Sequence, residues 1–305
     1  MTPQRLSAAY ALDLCAGDPP WFPHPVRIFG LLIEVGEALL LRYTRDPRTE
    51  MLAGAILTGV VVSTGWISGM PRHAAWQVTL AWTTLATRSL LQEAGAVVRA
   101  LEAGDIDTAR IRLARIVGRD AGHLDESEIA RAVIETLAES ACDGIVAPLF
   151  WLAVAGVPGA MSYKAINTLD SMIGHPEPPY RYFGRAAARL DDAANFIPAR
   201  LTAVAIVAAA KHPARAQSIW RRDGNKHASP NAGQPEAAMA GALGVRLGGI
   251  NSYDGHPHHA PLLHAEGRPP SVRDAKAALS VVAIVSGLAF GAALLVLASK
   301  GRKKK

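Results

Sequence analysis

Two proline-free runs of this chain hold no charged residue for twenty positions or more, and nothing else restricts its folds as strongly. Residues 51–70 read MLAGAILTGVVVSTGWISGM and residues 277–299 read AALSVVAIVSGLAFGAALLVLAS. A helix needs about 20 apolar residues to cross a hydrocarbon core, and both runs are long enough. The rest of the composition agrees. Only 19% of residues are charged, against about 25% in soluble domains, and mean hydropathy is +0.15.

Other segments fill out a helical membrane architecture. Residues 74–87, AAWQVTLAWTTLAT, follow a tight PRH break and pair with 51–70 as a helical hairpin, with Trp66, Trp76 and Trp82 as expected interface anchors. Residues 144–163 are uncharged but carry Pro148, Gly156, Pro158 and Gly159, which suits a broken or re-entrant helix. Residues 196–210 are short and contain Arg200, so a buried core helix fits them as well as a span. In the stretch 104–120, Ile111, Ala114 and Val117 share one face, while Arg112, Arg115 and Arg119 share a solvated or headgroup-facing one. No β-rich pattern is visible. The expected class is all-α: a polytopic integral membrane protein with about four to five transmembrane or re-entrant helices and an extramembrane loop and helical region. It is read as a single membrane-embedded domain over 1–305, with a hairpin at 51–92, a polar helical segment at 93–143 and broken helices at 144–210. An extramembrane loop region at 211–276, a C-terminal span at 277–299 and a basic tail at 300–305 complete it.

Charge and cysteine content remove several classes. The net charge is +6 and the pI about 9.5, yet no stretch interleaves basic with aromatic residues, so nucleic acid is not an expected partner. Cys15 and Cys142 have no metal-ligand spacing and suit a reducing compartment. Asp13 and Asp18 interrupt the first apolar run, which therefore does not read as a secretory signal. With five full crossings, Lys and Arg favour the side holding 1–50, 93–143 and 211–276. The basic tail then falls on the other side, a conflict that one re-entrant segment removes.

Five polar clusters interrupt the apolar background. In 17–30, GDPPWFPHPVRIFG, closely spaced prolines fix a rigid path that presents Asp18, His24 and Arg27; a helix-entry loop is the plainer reading. In 135–144, Glu135, Glu139 and Asp143 recur every four residues, and a row of like charges without basic partners points to a nearby cation such as magnesium. In 158–175, Lys164, Asn167 and Asp170/Ser171 share a face, offering a point charge for phosphate beside oxygen ligands. In 181–200, Asp191, Asp192 and Asn195 form a DDxxN cluster preceded by Arg185 and Arg189, either a magnesium site or an ion-pair ladder. In 223–243, DGNKHASPNAGQPEAAMAGAL, a polar run with Lys226, His227, Ser229 and Asn231 leads into a helix near Pro235. Glu236 there complements the dipole, and free N–H groups would bind an anion. No phosphate-binding glycine loop, dinucleotide fingerprint, HExxH or GxSxG motif occurs. The HPHH tract at 256–259, with His264, reads as an irregular loop.

These clusters, in this order, resemble the CobD/CbiB family of cobalamin biosynthesis, the adenosylcobinamide-phosphate synthases. The resemblance is carried by LDLCAGDPPWFPHPVRIFG, ESACDGIVAPLFW, PGAMSYKAINTLDSMIG, RYFGRAAARLDDAANFIPARLTA and DGNKHASPNAGQPEAAMAGALGVRLGGINSYDG, from about residue 10 to 255. Ser140 stands where the family pattern has an asparagine, and the histidine-rich tract has no counterpart. The resemblance implies a multi-pass enzyme of the cytoplasmic membrane with its active site facing the cytoplasm. It would join the propionate of adenosylcobyric acid to aminopropanol, or its O-phosphate, at the expense of ATP and with Mg2+. Other proteins of the pathway are candidate partners.

On this reading Glu139, Asp143, Asp170, Asp191, Asp192 and Asn195 are the expected metal ligands. Arg27, Asn167, Arg200, Lys226, Ser229, Asn231 and Glu236 are expected to bind substrate or phosphate, and His227, Lys164, Asp191 and His24 to act in catalysis. His227 or His24 would take the ammonium proton. Two rivals are an AmpE-like signalling protein or transporter with an intramembrane polar site, and a soluble all-α enzyme with an apolar core. The charge-free spans disfavour both.

Overall fold

The computed structural model describes residues 1–302 except 20, 44, 45, 72 and 254. Pro20, Arg72, Asp254 and tail residues 303–305 lie outside the described residues. In chain order the elements are α1 (Pro3–Ala16), α2 (Pro25–Leu40), a 3-10 turn (Leu41–Tyr43), α3 (Pro47–Gly69), α4 (Ala74–Thr84) and α5 (Thr87–Glu102). They continue with α6 (Ile106–Leu113), α7 (Glu126–Ala141), a π-turn (Cys142–Val146), α8 (Ala147–Ile173), α9 (Tyr180–Phe183) and α10 (Arg185–Ala209). The chain ends with α11 (Pro213–Asp223), α12 (Gly233–Leu243), the hairpin β1 (Leu247–Tyr253) and β2 (His256–Leu263), and α13 (Val272–Arg302). Among the described residues four helical stretches are long and apolar enough to cross a membrane: Pro47–Gly69, Glu126–Ile173, Arg185–Ala209 and Val272–Arg302. The protein is an all-α polytopic membrane protein carrying one small two-stranded sheet among the described residues.

Local chemistry sets the helix ends. Proline opens α1, α2, α3 and α11, where its missing N–H costs nothing. Asp46 with Thr49, and Asp125 with Glu128, form capping boxes on α3 and α7. The second limb of the expected hairpin is cut short. The hydroxyls of Thr83 and Thr84 donate to the carbonyls of Leu80 and Ala81, and Leu85 turns to extended backbone, ending α4 after 11 residues. At 1.5 Å per residue that is about 16 Å, half a crossing.

The chain divides into two compact units. Unit one comprises Met1–Ala86, Ala147–Asn195 and the chain from Phe290. Here α3 lies directly against backbone. A Cβ at Gly65 would sit 2.8 Å from the Met161 carbonyl oxygen, one at Gly69 2.6 Å from Pro158 Cα, and one at Gly54 would strike the Phe183 carbonyl. Gly65 and Gly69 form a GxxxG pair, the small-residue contact by which helices associate in lipid. The other face of α3, with Leu52, Ile56, Val60 and Ile67, is exposed, as a lipid-facing surface should be. In α8, Gly156 takes φ 70 two residues before Pro158, giving the break expected in 144–163. Trp82 is not an interface anchor: it is buried against Phe22, and its indole N–H donates to the Gly17 carbonyl at 3.0 Å.

Unit two comprises Thr87–Val146 and Phe196–Ala289. Its centre is α7, apolar around Ile129, Val133, Ile134 and Leu137, with α5, α6 and α12 packed on it. α11 and α12 approach closely, since a Cβ at Gly241 would lie 2.8 Å from Ala216 Cα. Gly244 (φ 72) stops α12, and Arg215 caps its last carbonyls, at Gly241 (2.7 Å) and Ala242 (3.1 Å). The amphipathic helix expected over 104–120 ends at Leu113. Asp120 leaves it to accept from the Ser252 hydroxyl at 2.7 Å and the Gly255 N–H at 2.9 Å. Residues 211–276, expected as an extramembrane loop region with a helix near Pro235, hold that helix as α12 together with α11 and an antiparallel hairpin in which the HPHH tract is regular strand. Of the hairpin's residues only Leu247 and Leu263, paired at its open end, are buried. Polar contacts fix the rest: Arg131 donates to the carbonyls of Gly248 (2.6 Å) and Ile250 (2.9 Å).

Candidate functional site

Unit two contains a cavity of about 290 Å³ lined from α7, the 116–119 segment, the 227–236 stretch and the hairpin. α7 contributes Glu135 and Glu139, one turn apart. The acidic row was expected to lack basic partners, and for Glu135 the structure corrects this. Glu135 accepts from Arg119 Nη2 at 2.5 Å and from the Gly248 N–H at 2.8 Å, and Arg131 stands at 3.7 Å. Asp143, in the π-turn, is not among the lining residues. Arg119, expected on a solvated face, is buried here and also donates to the Asn251 amide oxygen.

Glu236 is 7% exposed and lines the same cavity. Among the described residues no side chain or N–H donates to its carboxylate. Burial, with the charges of Glu135 and Glu139, raises its carboxyl well above the ordinary range, and Arg119 offsets this in part. His227 accepts the Ser229 N–H at Nδ1, 3.0 Å away, so in the neutral ring the proton sits on Nε2. Burial lowers its pKa and favours that neutral form. His227 therefore meets a ligand in the cavity as a donor, whereas the expected base role needs a free lone pair. Burial likewise raises the Tyr253 hydroxyl, keeping it protonated.

The rest of the 223–243 cassette is largely self-satisfied. Asp223 is fully buried and accepts from Arg222 at 2.8 and 2.9 Å, Lys226 at 2.7 Å and the His264 N–H at 2.7 Å. Arg222 chiefly, then Lys226 and His264, hold its carboxyl far below the usual carboxylate range. Lys226 is thus bound to Asp223. The helix-start N–H groups expected to receive an anion are taken too: Ser229 Oγ accepts from Asn231 and Ala232 at 3.2 Å, and the Asn231 carbonyl from Gln234 at 3.0 Å. Asn231 and Arg200 do come together, with Nη1 donating to the amide oxygen at 3.3 Å while the guanidinium lies 3.7 Å over the Phe196 ring.

Unit one holds the other expected residues. His24 caps α2 through Nδ1, which accepts from the Val26 N–H at 3.3 Å, and its Nε2 lies 3.5 Å from Asp18. Arg27 is exposed on the first turn of α2. Lys164, Asn167 and Asp170 are half-buried on successive turns of α8, and Asp170 is within Coulombic reach of Asp192 on α10. Asn195 donates to Asp191 at 3.0 Å and accepts from the Tyr163 hydroxyl at 3.0 Å, which fixes Asp191 against a core of Ala147, Ile166 and Ala194. Among the described residues no three His, Cys, Asp or Glu side chains gather as an all-protein metal cage. Magnesium asks for less, one or two carboxylates with phosphate and water, and the carboxylates of Asp170 and Asp192, within Coulombic reach of each other, fit that chemistry.

Arg119, Asn251 and Tyr253 are cavity residues that the sequence alone did not mark. The signal was present in part, since Asn251 and Tyr253 sit in the NSYDG end of a family-like stretch.

A helical membrane protein with a carboxylate-rich cavity is the class that fold and site define. Residues 6–282 match the family described as CobD/Cbib protein. The chain is 42% identical over 305 residues to the cobalamin biosynthesis protein CobD of Klebsiella pneumoniae, covering 95% of this chain and 96% of that one. It is 48% identical over 268 residues to the CobD of Pelobacter propionicus, covering 83% and 82% of the two chains. To the cobalamin biosynthesis protein CbiB of Salmonella typhimurium it is 41% identical over 308 residues, 96% of each chain. No solved structure matches. The chain belongs to the CobD/CbiB family.

Proposed function

We propose that this protein is an adenosylcobinamide-phosphate synthase, forming an amide between the propionate of adenosylcobyric acid and the amine of aminopropanol or its O-phosphate. The observation that carries the reading is kinship along nearly the whole chain with proteins named for cobalamin biosynthesis. The two polar sites, one in each unit, supply groups the chemistry needs.

A carboxylate does not react with an amine at a useful rate, because its oxygen is a poor leaving group. In our reading a propionate oxygen takes the γ-phosphoryl group of ATP and ADP departs. The amine nitrogen then forms the bond to the acyl carbon as the carbon–oxygen bond to phosphate breaks, and the amine's extra proton leaves to solvent or phosphate. Catalysis of this kind is mostly positioning and neutralisation of charge. Lys164 and Asn167 in unit one would offer donors to phosphate oxygens, and Arg200 and Asn231 in unit two would offer donors of the same kind there. Asp170 and Asp192 would hold Mg2+, with Asn195 orienting Asp191, beside Asp192 in sequence; the ion would supply charge neutralisation to the nucleotide phosphates. The protein works in the cytoplasmic membrane, with this chemistry on the cytoplasmic side where ATP is available.

The test uses purified protein in lipid nanodiscs with adenosylcobyric acid, each form of the amine, and Mg-ATP. A corrin amide should form with release of ADP, and Asp191→Ala should slow it by about 10²-fold or more. The reading fails if no amide forms with either amine while Asp191→Ala and His227→Ala leave corrinoid production in cells unchanged.

A further inference from the structure

We infer that a second groove of unit two, between the hairpin and the start of α7, seats the corrinoid acid by the edge that bears its propionate, with Arg246 pairing the carboxylate. This rests on the synthase reading and gives its largest substrate a site.

Three observations carry the assignment. First, the groove has about 430 Å³ of space and an apolar lining of Ile250, Leu262, Pro269 and Pro270, the size and character of an organic ligand site. Ile250 and Leu262 are 60% and 41% exposed, so the groove opens to its surroundings and can take one edge of a molecule too large to enclose. The hairpin lies outside the four stretches able to cross a membrane, so lipid does not account for these apolar side chains. Second, the groove has one cation to spare. Arg246 is exposed, and among the described residues its guanidinium has no partner; only its backbone N–H is used, donating to the Arg268 carbonyl at 2.9 Å. The other charged lining groups are committed. Arg131 donates to the carbonyls of Gly248 and Ile250 and stands 3.7 Å from Glu135, while Glu128 accepts the Asp125 N–H at 2.9 Å. A free guanidinium is a planar fork that matches a carboxylate. Third, the strand wall is bare. Gly248 and Gly249 line the groove, and a Cβ at Gly249 would meet only side chains, Leu262 at 3.7 Å and Arg131 at 3.8 Å. A flat ring can therefore approach the backbone. A broad macrocycle carrying one propionate matches an open apolar groove with a single available guanidinium.

The experiment measures calorimetric binding of two corrinoids to the full-length protein in nanodiscs: adenosylcobyric acid, and the same molecule with its propionate converted to a primary amide. The wild type should bind the acid tighter than the amide by about tenfold or more. Arg246→Gln should remove that preference by weakening the acid alone, and Arg246→Lys should restore part of it. Leu262→Ser should weaken both corrinoids and keep the preference. Because the acid and the amide are compared on each variant, a general loss of folded protein cannot imitate the result. The assignment is overturned if the wild type does not discriminate, if Arg246→Gln leaves the preference intact, or if Leu262→Ser leaves both affinities unchanged. Binding of the acid that depends on Arg246, without amide formation when amine and Mg-ATP are added, would sink the synthase reading and leave the groove assigned. Amide formation with an unchanged preference in Arg246→Gln would do the reverse.

Discussion

Glu236 and Asp223 are carboxylates of one cassette, and folding treats them in opposite ways. Glu236 loses water and, among the described residues, gains no donor, so its folded-state pKa rises. The folded protein then binds a proton that the unfolded chain has released, and the stability from this group is present at low pH and lost as pH rises through the raised value. Asp223, held by Arg222, Lys226 and the His264 N–H, has a depressed pKa; its contribution is present above the ordinary carboxylate range and lost as pH falls. In ligand-free protein, Glu236→Gln should therefore raise Tm at pH 8 and change it little at pH 5, while Asp223→Asn should lower Tm at pH 8. A kilocalorie corresponds to about 2–4 °C in a domain of 150–250 residues. Thermal unfolding in detergent across that pH range measures both, and equal responses of Glu236→Gln at the two pH values would remove the account of Glu236.

At the scale of elements, α3 shows why some structure was legible in the sequence and some was not. Its charge-free run marks a span, and α13 is marked in the same way. Its packing depends on which glycines meet backbone, and that partner lies far along the chain. Gly54→Leu should destabilise by about 1–3 kcal/mol or more, since the Phe183 carbonyl cannot yield as a side chain can. Gly59 faces open space on the same helix, so Gly59→Ala should be neutral or stabilising by up to about 1 kcal/mol. Denaturation in mixed micelles distinguishes the two, and equal effects would contradict the packing described. Glu135 and Glu139 were legible as one helical face because their spacing is local. The inward turn of Arg119 was not, because its amide partner Asn251 lies 132 residues away. The hairpin escaped for a related reason: most of its residues are exposed, so no apolar alternation announces it.

For the whole molecule, the sequence separates spans from polar segments well because lipid and water impose different compositions. That contrast can be measured by placing one charge in two exposed apolar positions. Val60 on α3 and Ile111 on α6 are 55% and 69% exposed, but only α3 has the length and composition of a span. Val60→Lys should cost about 2.5–3.5 kcal/mol of insertion free energy and lower the membrane-integrated yield, whereas Ile111→Lys should leave it unchanged. A glycosylation-reporter insertion assay reads the first and quantitative membrane fractionation both; equal yields would mean that α3 does not face lipid. Charge placement thus sorts the long helices, while the sites depend on contacts that no local pattern announces.

The hairpin has a further consequence. It forms part of the cavity wall yet is joined to the helices of unit two by hydrogen bonds, with apolar burial in its strands confined to Leu247 and Leu263. Water can replace most of those bonds, so lifting this wall exposes little oil-like surface. The cavity can then exchange its contents through a small local excursion while the helices around α7 stay folded. Turnover need not wait on any motion of the bilayer-crossing segments.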